Sequence, residues 1–387
     1  MRIENNADAD VRLHGKVIAP PTPIGSYDPS DVTFLLKDIS SVQLERTTEE
    51  REAAIQSGVH YSEMLPTEYE PSSSYIELFH RTLAQSAQDV ALAAAIVAER
   101  IAEMRGKDVV LVSLARGGTP AGILIKRYLA YRYGWDVKHY SISIIRGKGI
   151  DENAILYILQ QHGADTELQF VDGWTGKGAI RGVLAEAAEQ FERKYGYRMN
   201  DDLAVLADPG HCCTTFGTRD DYLIPSACLN ATVSGLISRT VQRDDLIGPR
   251  DFHGAKHYAE WKEADLSHTF VDTVSACFPA IADEAARQAA EMERHPAAAT
   301  WQGLSDIRML QQKYGIDNVN FVKPGVGETT RVLLRRMPWK IIVNRLDNPD
   351  LRHIMLLAED RGIPVEVLEG LTYSCCGIIK PLKGDSE

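Results

Sequence analysis

The sequence predicts an α/β protein with a mostly parallel, doubly wound sheet, a mainly helical segment and a small C-terminal α/β domain. Apolar runs of strand length alternate with segments of helical periodicity between residues 107 and 208. Turns rich in small residues follow several of these runs, and the same alternation returns near the C-terminus. Strands that alternate with helices imply right-handed crossovers and a sheet that is covered on both faces.

Length and composition indicate a soluble, globular protein. The 387 residues suffice for two or three domains, and 44% hydrophobic with 25% charged residues is ordinary for this class. The net charge of −12 argues against binding of nucleic acid or anionic membranes by the whole surface. The six cysteines include two adjacent pairs, which is not a secreted disulfide pattern. We therefore expect a cytoplasmic protein without a membrane span. A homo-oligomer is a separate expectation.

Composition shifts divide the chain into four predicted regions. Residues 1–75 form an N-terminal arm and a hood-like segment, and residues 76–245 form the α/β domain. Residues 246–317 are mainly helical, and residues 318–387 form the small C-terminal domain.

Each element of the α/β domain has a local sequence signal. Gly106 ends the first helix, and Thr119 with Pro120 begins the second one after the "RGG" turn. "VVLVSLA" is typical of a buried strand. The predicted order is helix 76–105, strand 109–115, a helix from 119, strand 136–145, helix 152–162, strand 168–172, helix 179–195 and strand 201–208.

The stretch "LQFVDGWTGKGAI" (168–180) predicts a strand, a loop of small residues and the start of a helix. Small residues let backbone N–H groups close around an anion, and the helix dipole adds to the attraction. Lys177 supplies a full positive charge, while Asp172 can bind sugar hydroxyls or hold Mg²⁺ through water. The spacing is neither a Walker A motif nor GxGxxG. A plain turn with glycines for close packing is the alternative.

This loop resembles the signature of type I phosphoribosyltransferases, in which a strand ends in two acidic residues and a Thr/Gly-rich loop binds the 5-phosphate of phosphoribosyl diphosphate (PRPP). "VSLARGGTPAG" is similar to that family's pyrophosphate loop, and "SISIIRGKGIDEN" lies where the family has a flexible catalytic loop. This sequence has Gly173 at the second acidic position, which departs from the family. It therefore lacks one of the two carboxylates that contact the ribose hydroxyls. The resemblance covers roughly residues 76–245.

The resemblance implies a role for each loop and a PRPP–Mg²⁺ complex as ligand. Asp172 would bind ribose, and Arg146 and Lys148 would close over the leaving pyrophosphate. The remaining implied contacts are Arg116, Gly117, Gly118 and Thr119 for pyrophosphate, and Thr175, Gly176, Lys177 and Gly178 for the 5-phosphate. The alternative for Arg146 and Lys148 is a solvated loop.

Nearly the whole chain resembles a bacterial family from tellurite-resistance and stress gene clusters. The stretches that carry this resemblance include "GSYDPSDVTFLLK", "HYSEMLPTEYEPS" and "GTRDDYLIPSACLNATVSGL". That family combines a phosphoribosyltransferase-like domain with a C-terminal pelota-type RNA-binding domain, and it also carries the label "cysteine protease StiP". The resemblance therefore implies two activities that conflict.

A cysteine protease needs a thiolate that a nearby histidine activates. The candidate nucleophiles are Cys212, Cys213 and Cys228. The candidate bases are His60 and His211, with His253 and His257 as weaker alternatives. No protease signature surrounds any of these cysteines, so small buried thiols are the alternative. "HGAKH" (253–257) would put two histidines one turn apart if it were helical, but it lacks a clear third ligand, so we predict no metal site.

The C-terminal region concentrates positive charge within an acidic protein. Pelota-type domains bind structured RNA, and phosphate contacts are the expected role of such a cluster. The candidate RNA-binding residues are Arg331, Arg335, Arg336 and Lys340. A solvated Arg-rich helix face is the alternative.

The leading hypothesis is a phosphoribosyltransferase-like enzyme that acts on a nucleoside or an RNA-linked acceptor in a tellurite or stress response. A cysteine peptidase on the same sheet is the second hypothesis. A catalytically inactive PRPP or nucleotide sensor is the third, and Gly173 is the residue that supports it.

Overall fold

A computed structural model describes residues 16–336 and 338–379. Most of the predicted N-terminal arm, residues 1–15, lies outside the described residues. The strands of the main sheet are β1 (Thr33–Phe34), β5 (Val110–Ala115), β6 (Lys138–Ile145), β7 (Gly149–Ile150), β8 (Leu168–Trp174), β9 (Leu203–Ala207) and β10 (Thr215–Thr218). The helices are α1 (Thr48–Gln56), α2 (Ser73–Arg105), α3 (Thr119–Tyr133), α4 (Glu152–His162), α5 (Ala179–Tyr195), α6 (Ser267–Ser275), α7 (Phe278–Arg294), α8 (Gln302–Tyr314), α9 (Val326–Arg335) and α10 (Arg352–Asp360).

The main sheet has the strand order β1-β6-β5-β8-β9-β10, and the neighbours along this path are parallel. The short strand β7 pairs antiparallel with β6. Strands β5, β6, β8 and β9 therefore end at one edge of the sheet, which we call the carboxyl edge. The predicted mostly parallel α/β sheet is confirmed.

Helices cover both faces of this sheet. Helices α2, α3 and α7 share one apolar core with the sheet, and α4 and α5 share the other. The Ala-rich middle of α2 is buried, which lets α7 pack closely against it. Gly106 ends α2 with a φ of 71°, where its N–H donates to the carbonyl of Ala102.

The segment that was predicted as a hood contributes short strands. "SDVTFLLKDI" contains β1 at the sheet edge and β2 (Lys37–Asp38), and β2 pairs with β11 (Gly254–Ala255). Strand β3 (Glu45–Arg46) pairs with β4 (Leu65–Pro66). Because "HGAKH" includes β11, its two histidines do not share a helix face. His253 instead contacts the Ser143 hydroxyl at 2.8 Å.

The strands of the small C-terminal domain are β12 (Val322–Pro324), β13 (Pro338–Val343), β14 (Val365–Val367) and β15 (Cys375–Ile379). They form a sheet in the order β12-β15-β13-β14. The alternation of helices and strands that the sequence predicts near the C-terminus did not include β12 and β15. Strand β12 is short and ends in proline, and β15 begins with the adjacent pair Cys375-Cys376, so neither has a strong strand signal.

A buried carboxylate joins the two parts of the molecule. Asp221 accepts hydrogen bonds from the N–H of Val326 at 2.9 Å and from the N–H of Ser374 at 2.8 Å. Its pKa is raised to about 6 by burial. Because Val326 begins α9, the carboxylate also lies at a helix N-terminus. None of the described helices is long and apolar enough to span a membrane.

Candidate functional site

Three loops meet at the carboxyl edge of the main sheet. They follow β5, β6 and β8, as the sequence predicted. The loop after β5 packs directly on β8, because a Cβ at Gly118 would lie 2.5 Å from the carbonyl oxygen of Val171. A Cβ at Gly117 would lie 3.7 Å from Oδ1 of Asp172. The peptide bond that precedes Arg116 in this loop is cis.

The loop of residues 175–178 leads into α5 with free backbone donors. The N–H of Thr175 donates to Ala207 O, and its hydroxyl donates to the Asp208 carboxylate at 2.6 Å. Within the described part of the chain, the N–H groups of residues 176–178 have no hydrogen-bond acceptor. Gly178 has a φ of 79°, which favours glycine. Three amides at the start of a helix form an arrangement that binds anions.

Asp172 lies near the carboxyl end of β8, next to the loop after β5. Its Oδ1 accepts a hydrogen bond from the N–H of Gly173 at 2.8 Å. Burial of the carboxyl group raises the pKa of Asp172 to about 7, although the residue as a whole is partly exposed to solvent. Near neutral pH this carboxyl group is therefore divided between its protonated and ionised forms.

Arg116 forms a buried ion pair that the sequence analysis did not anticipate. Its Nη2 lies 2.6 Å from Oε1 of Glu68, and its Nη1 donates to the carbonyl of Ile237 at 2.8 Å. Glu68 belongs to the segment predicted as a hood, so this pair fixes that segment over the carboxyl edge. Glu68 balances the charge of Arg116. The resemblance to phosphoribosyltransferases had implied that Arg116 binds pyrophosphate.

The loop after β6 lies against the same N-terminal segment. The N–H of Arg146 donates to the Tyr61 hydroxyl at 2.8 Å, and its guanidinium carbon lies 5.3 Å from the centre of the Tyr61 ring. Lys148 donates to Glu63 at 3.1 Å and to the side chain of Gln242 at 2.7 Å. Lys148 is thus paired, whereas Arg146 forms no ion pair with any residue in the described ranges.

His60 also lies beside this loop. Its Nδ1 is 2.8 Å from the Ser62 hydroxyl, and a Cβ at Gly147 would lie 3.1 Å from its Nε2. The histidine is therefore close to the predicted catalytic loop and remains a candidate for ligand contact.

Arg239 is a site residue that the sequence analysis missed. Its guanidinium carbon lies 5.6 Å from the centre of the Tyr61 ring, which Arg146 also contacts. Burial and the neighbouring cations Arg116, Arg51 and Arg146 lower the pKa of Arg239 to about 10. The only local signal was a single arginine within the apolar stretch "VSGLISRTV".

Lys177 reaches from the loop of residues 175–178 to the C-terminal domain. Its Nζ donates to the carbonyl of Val319 at 2.6 Å and lies 3.5 Å from the carbonyl of Val322. Burial, followed by Lys323 and Arg146, lowers the pKa of Lys177 to about 8. The pKa of Lys323 is also lowered by burial, and nearby Glu328 opposes that shift.

We define the cation cluster as Arg146, Lys177, Arg239 and Lys323. No carboxylate forms an ion pair with any of the four in the part of the chain that the structure describes. Glu328 of the C-terminal domain favours the charged forms of Lys177 and Lys323, and it pairs with Arg331 at 3.1 Å. The carboxyl edge therefore carries excess positive charge, which suits a ligand with several negative charges.

The candidate cysteines lie in a different environment. Cys212 is buried, with its Sγ 3.4 Å from the carbonyl of Gly210, and burial raises its pKa to about 12. Burial likewise raises the pKa of Cys213, and Cys228 is buried. Neither Cys212 nor Cys213 has a hydrogen bond to histidine among residues 16–336 and 338–379.

The electrostatic surroundings also disfavour a thiolate at residues 212 and 213. The Asp208 carboxylate accepts hydrogen bonds from the N–H of Cys212 at 2.8 Å and from the N–H of Cys213 at 3.1 Å. This negative charge raises the pKa of both thiols further. His211 has a φ of 53° and lies with its Nδ1 3.5 Å from the Arg219 guanidinium.

The predicted RNA-binding residues lie in different places. Arg331 faces the main domain, where its Nε donates to the carbonyl of Ala227 at 3.0 Å and its guanidinium packs over Trp174. Lys340 pairs with Glu366.

Arg336 is exposed at the end of α9. The side chain of Arg335 lies outside the described residues. The structure thus places Arg331 between the domains, whereas Arg336 is free to face solvent, and the RNA-binding role of all four residues stays a prediction.

Solved structures give only weak similarity to this chain. The Helicobacter pylori xanthine-guanine-hypoxanthine phosphoribosyltransferase matches with 13% identity and a TM-score of 0.17, over 43% of this chain and 76% of its own. A glutamate decarboxylase domain from Vibrio parahaemolyticus matches with 10% identity and a TM-score of 0.22, over 88% and 74%. Scores this low establish no common fold, so the type I phosphoribosyltransferase fold stays a prediction.

Sequence comparisons are far stronger. Residues 25–275 match the family described as "Tellurite-like stress resistance cysteine protease StiP", and residues 301–381 match the "PELOTA RNA binding domain". The protein named "Cysteine protease StiP" from Acinetobacter baylyi is 35% identical over 355 residues, which cover 89% of this chain and 90% of that protein. The chain therefore belongs to the StiP family and carries a pelota RNA-binding domain at its C-terminal end.

Proposed function

We propose that this protein is an enzyme that binds PRPP, or a related ribosyl phosphate, at the carboxyl edge of its main sheet. The observation that carries the proposal is the cation cluster, whose four side chains form no ion pair with a carboxylate among the described residues and have the single carboxylate Glu328 near Lys177 and Lys323. The amides of residues 176–178, which have no acceptor among the described residues, would add phosphate contacts at the start of α5. The acceptor would be a nucleoside or an RNA-linked group, because a pelota domain is fused to the site.

The ligand's parts have matching residues in this proposal. The 5-phosphate would bind the amides of residues 176–178, and the diphosphate would bind among Arg146, Arg239 and the first loop. Asp172 would contact ribose with one carboxylate, since Gly173 stands at the second acidic position. Departure of the diphosphate needs stabilisation of its developing negative charge, which Arg146 and Arg239 would supply.

Mg²⁺ would enter this site as part of the ligand complex. The described residues contain no cluster of three potential metal ligands, and Asp172 is a single carboxylate at the carboxyl edge. Mg²⁺ commonly binds one or two carboxylates together with substrate phosphates and water. Asp172 would hold such an ion, which would neutralise charge on the diphosphate.

Calorimetric titration of PRPP with Mg²⁺ tests this proposal. We expect binding to the wild-type protein in the micromolar range and a loss of about tenfold or more in Lys177→Ala. Lys107→Ala is the matched control, because Lys107 is an exposed lysine that lies before β5, at the opposite edge of the sheet. Absence of binding to the wild type at millimolar PRPP would contradict the proposal.

The second candidate is a cysteine peptidase, which is favoured by the 35% identity to a protein named cysteine protease StiP. The nucleophile would be Cys212, Cys213 or Cys228, with His211 or His60 as base. A peptidase would require a rearrangement that exposes a thiol and removes it from Asp208. Proteolysis that a thiol alkylator abolishes, in protein that does not bind PRPP, would establish this alternative. PRPP binding without pyrophosphate release would indicate a sensor instead.

A further inference from the structure

Lys323 is the member of the cation cluster that the C-terminal domain supplies. It lies in the middle of β12, where its backbone pairs with Gly377 of β15. The preceding residue, Val322, has its carbonyl 3.5 Å from Nζ of Lys177. Lys323 is therefore held next to the loop of residues 175–178 by a regular sheet, although the two belong to different domains.

Arg239 approaches from the main domain. Its segment is fixed where Arg116 donates to the carbonyl of Ile237 at 2.8 Å. The guanidinium carbon of Arg239 lies 5.6 Å from the centre of the Tyr61 ring, and that of Arg146 lies 5.3 Å from it. One tyrosine thus holds two arginines at the carboxyl edge.

These cations influence one another. After burial and Glu328, the neighbours that affect the pKa of Lys323 are Arg336, Arg146 and Arg239, and all three lower it. Arg146 also lowers the pKa of Arg239. Like charges that are partly buried raise the free energy of the ligand-free protein, and a bound anion removes this penalty.

We propose that Lys323 and Arg239 form, with Arg146, a phosphate-binding subsite that the two domains build together. The ligand class is a diphosphate or longer polyphosphate group, since arginine forks and a lysine ammonium both suit phosphate oxygens. The inference rests on the proposed function in placing this group beside the loop of residues 175–178. It adds that the pelota domain supplies a ligand-binding cation, so that the bound ligand joins the domains.

Titration of the full-length protein with inorganic pyrophosphate and, separately, PRPP tests the subsite. We expect Lys323→Met to weaken pyrophosphate binding by about tenfold or more, with substantial recovery in Lys323→Arg. Lys313→Met is the matched control, because Lys313 is exposed in α8 and faces solvent outside the cluster. It should bind like the wild type.

Thermal stability gives a second readout that a structural role would not produce. Pyrophosphate should raise the melting temperature of the wild type more than that of Lys323→Met, because the variant lacks one of the cations that bind the ligand. A variant that is less stable without ligand and has unchanged pyrophosphate affinity would overturn the subsite.

The two ligands separate this inference from the proposed function. If Lys323→Met and Arg239→Met bind PRPP as tightly as the wild type, the subsite is overturned and the proposed function is preserved. Pyrophosphate binding that depends on Lys323, without any PRPP binding, would support the subsite and overturn the proposed function. Absence of binding of either ligand to the wild type would overturn both.

Discussion

Asp172 gives the candidate site a pH dependence. Its folded-state pKa of about 7 lies above its ordinary value, so the folded protein favours the protonated carboxyl. The resulting contribution to stability is complete below the unfolded pKa of about 4 and is lost as the pH rises through 7. Ionisation of this group therefore destabilises the ligand-free protein at neutral and alkaline pH.

Asp172→Asn should remove this dependence. Between pH 4 and pH 8.5, the free energy of unfolding of the variant should rise relative to wild type by on the order of 2 kcal/mol, because the partly exposed carboxyl retains some solvation. Urea unfolding across this pH range measures the difference. Asp136→Asn is the control, since the pKa of that exposed carboxylate is lowered by Lys138 and Lys126. A difference that does not vary with pH would contradict the assignment.

At the scale of elements, the packing of α3 on the sheet depends on a missing side chain. Ser113 of β5 and His139 of β6 are joined by a 2.7 Å hydrogen bond beneath the helix. A Cβ at Gly122 would lie 2.1 Å from the Ser113 hydroxyl and 2.3 Å from Nε2 of His139. The helix therefore reaches this position only because residue 122 is glycine.

Gly122→Ala should destabilise the protein by about 1–3 kcal/mol, since α3 must shift or the hydrogen bond must break. Gly182→Ala is the matched control, because Gly182 lies within α5 and a Cβ there would meet nothing within 4 Å. That variant should gain up to about 1 kcal/mol from its higher helix propensity. Chemical unfolding compares the two, and equal effects would contradict the packing argument.

The sequence predicts the regular helices and strands well. It predicts poorly which distant residues the fold brings together. Strands β5, β6, β8 and β9 have long apolar runs and were found, whereas the two-residue strands β1 to β4 are too short for a periodic signal. The loop of residues 175–178 was recognisable from local chemistry. Glu68, Arg239 and Lys323 were not, because their importance arises from folding distant segments together.

At the scale of the whole molecule, Asp221 links the main domain to the pelota domain. Its carboxylate accepts two backbone N–H groups of the C-terminal domain, from Val326 and Ser374. Removing it would leave two buried donors without acceptors, at a cost of about 1–3 kcal/mol each. The contact between the domains should therefore weaken when this one side chain is shortened.

Limited proteolysis tests this link. Asp221→Ala should be cleaved faster than wild type in the exposed segment 295–300, which precedes the pelota domain. Asp220→Ala is the matched control, because Asp220 is the exposed neighbouring carboxylate and should leave the rate unchanged. Equal cleavage of the two variants would show that Asp221 does not hold the domains together.

We propose that the carboxyl edge of the main sheet binds a phosphorylated ribosyl ligand. A crystal structure of the full-length protein grown with PRPP and Mg²⁺ would test this binding. We expect the 5-phosphate on the amides of residues 176–178 and the diphosphate against Arg146, Arg239 and Lys323. A ligand bound elsewhere, or an empty carboxyl edge at saturating PRPP, would contradict it.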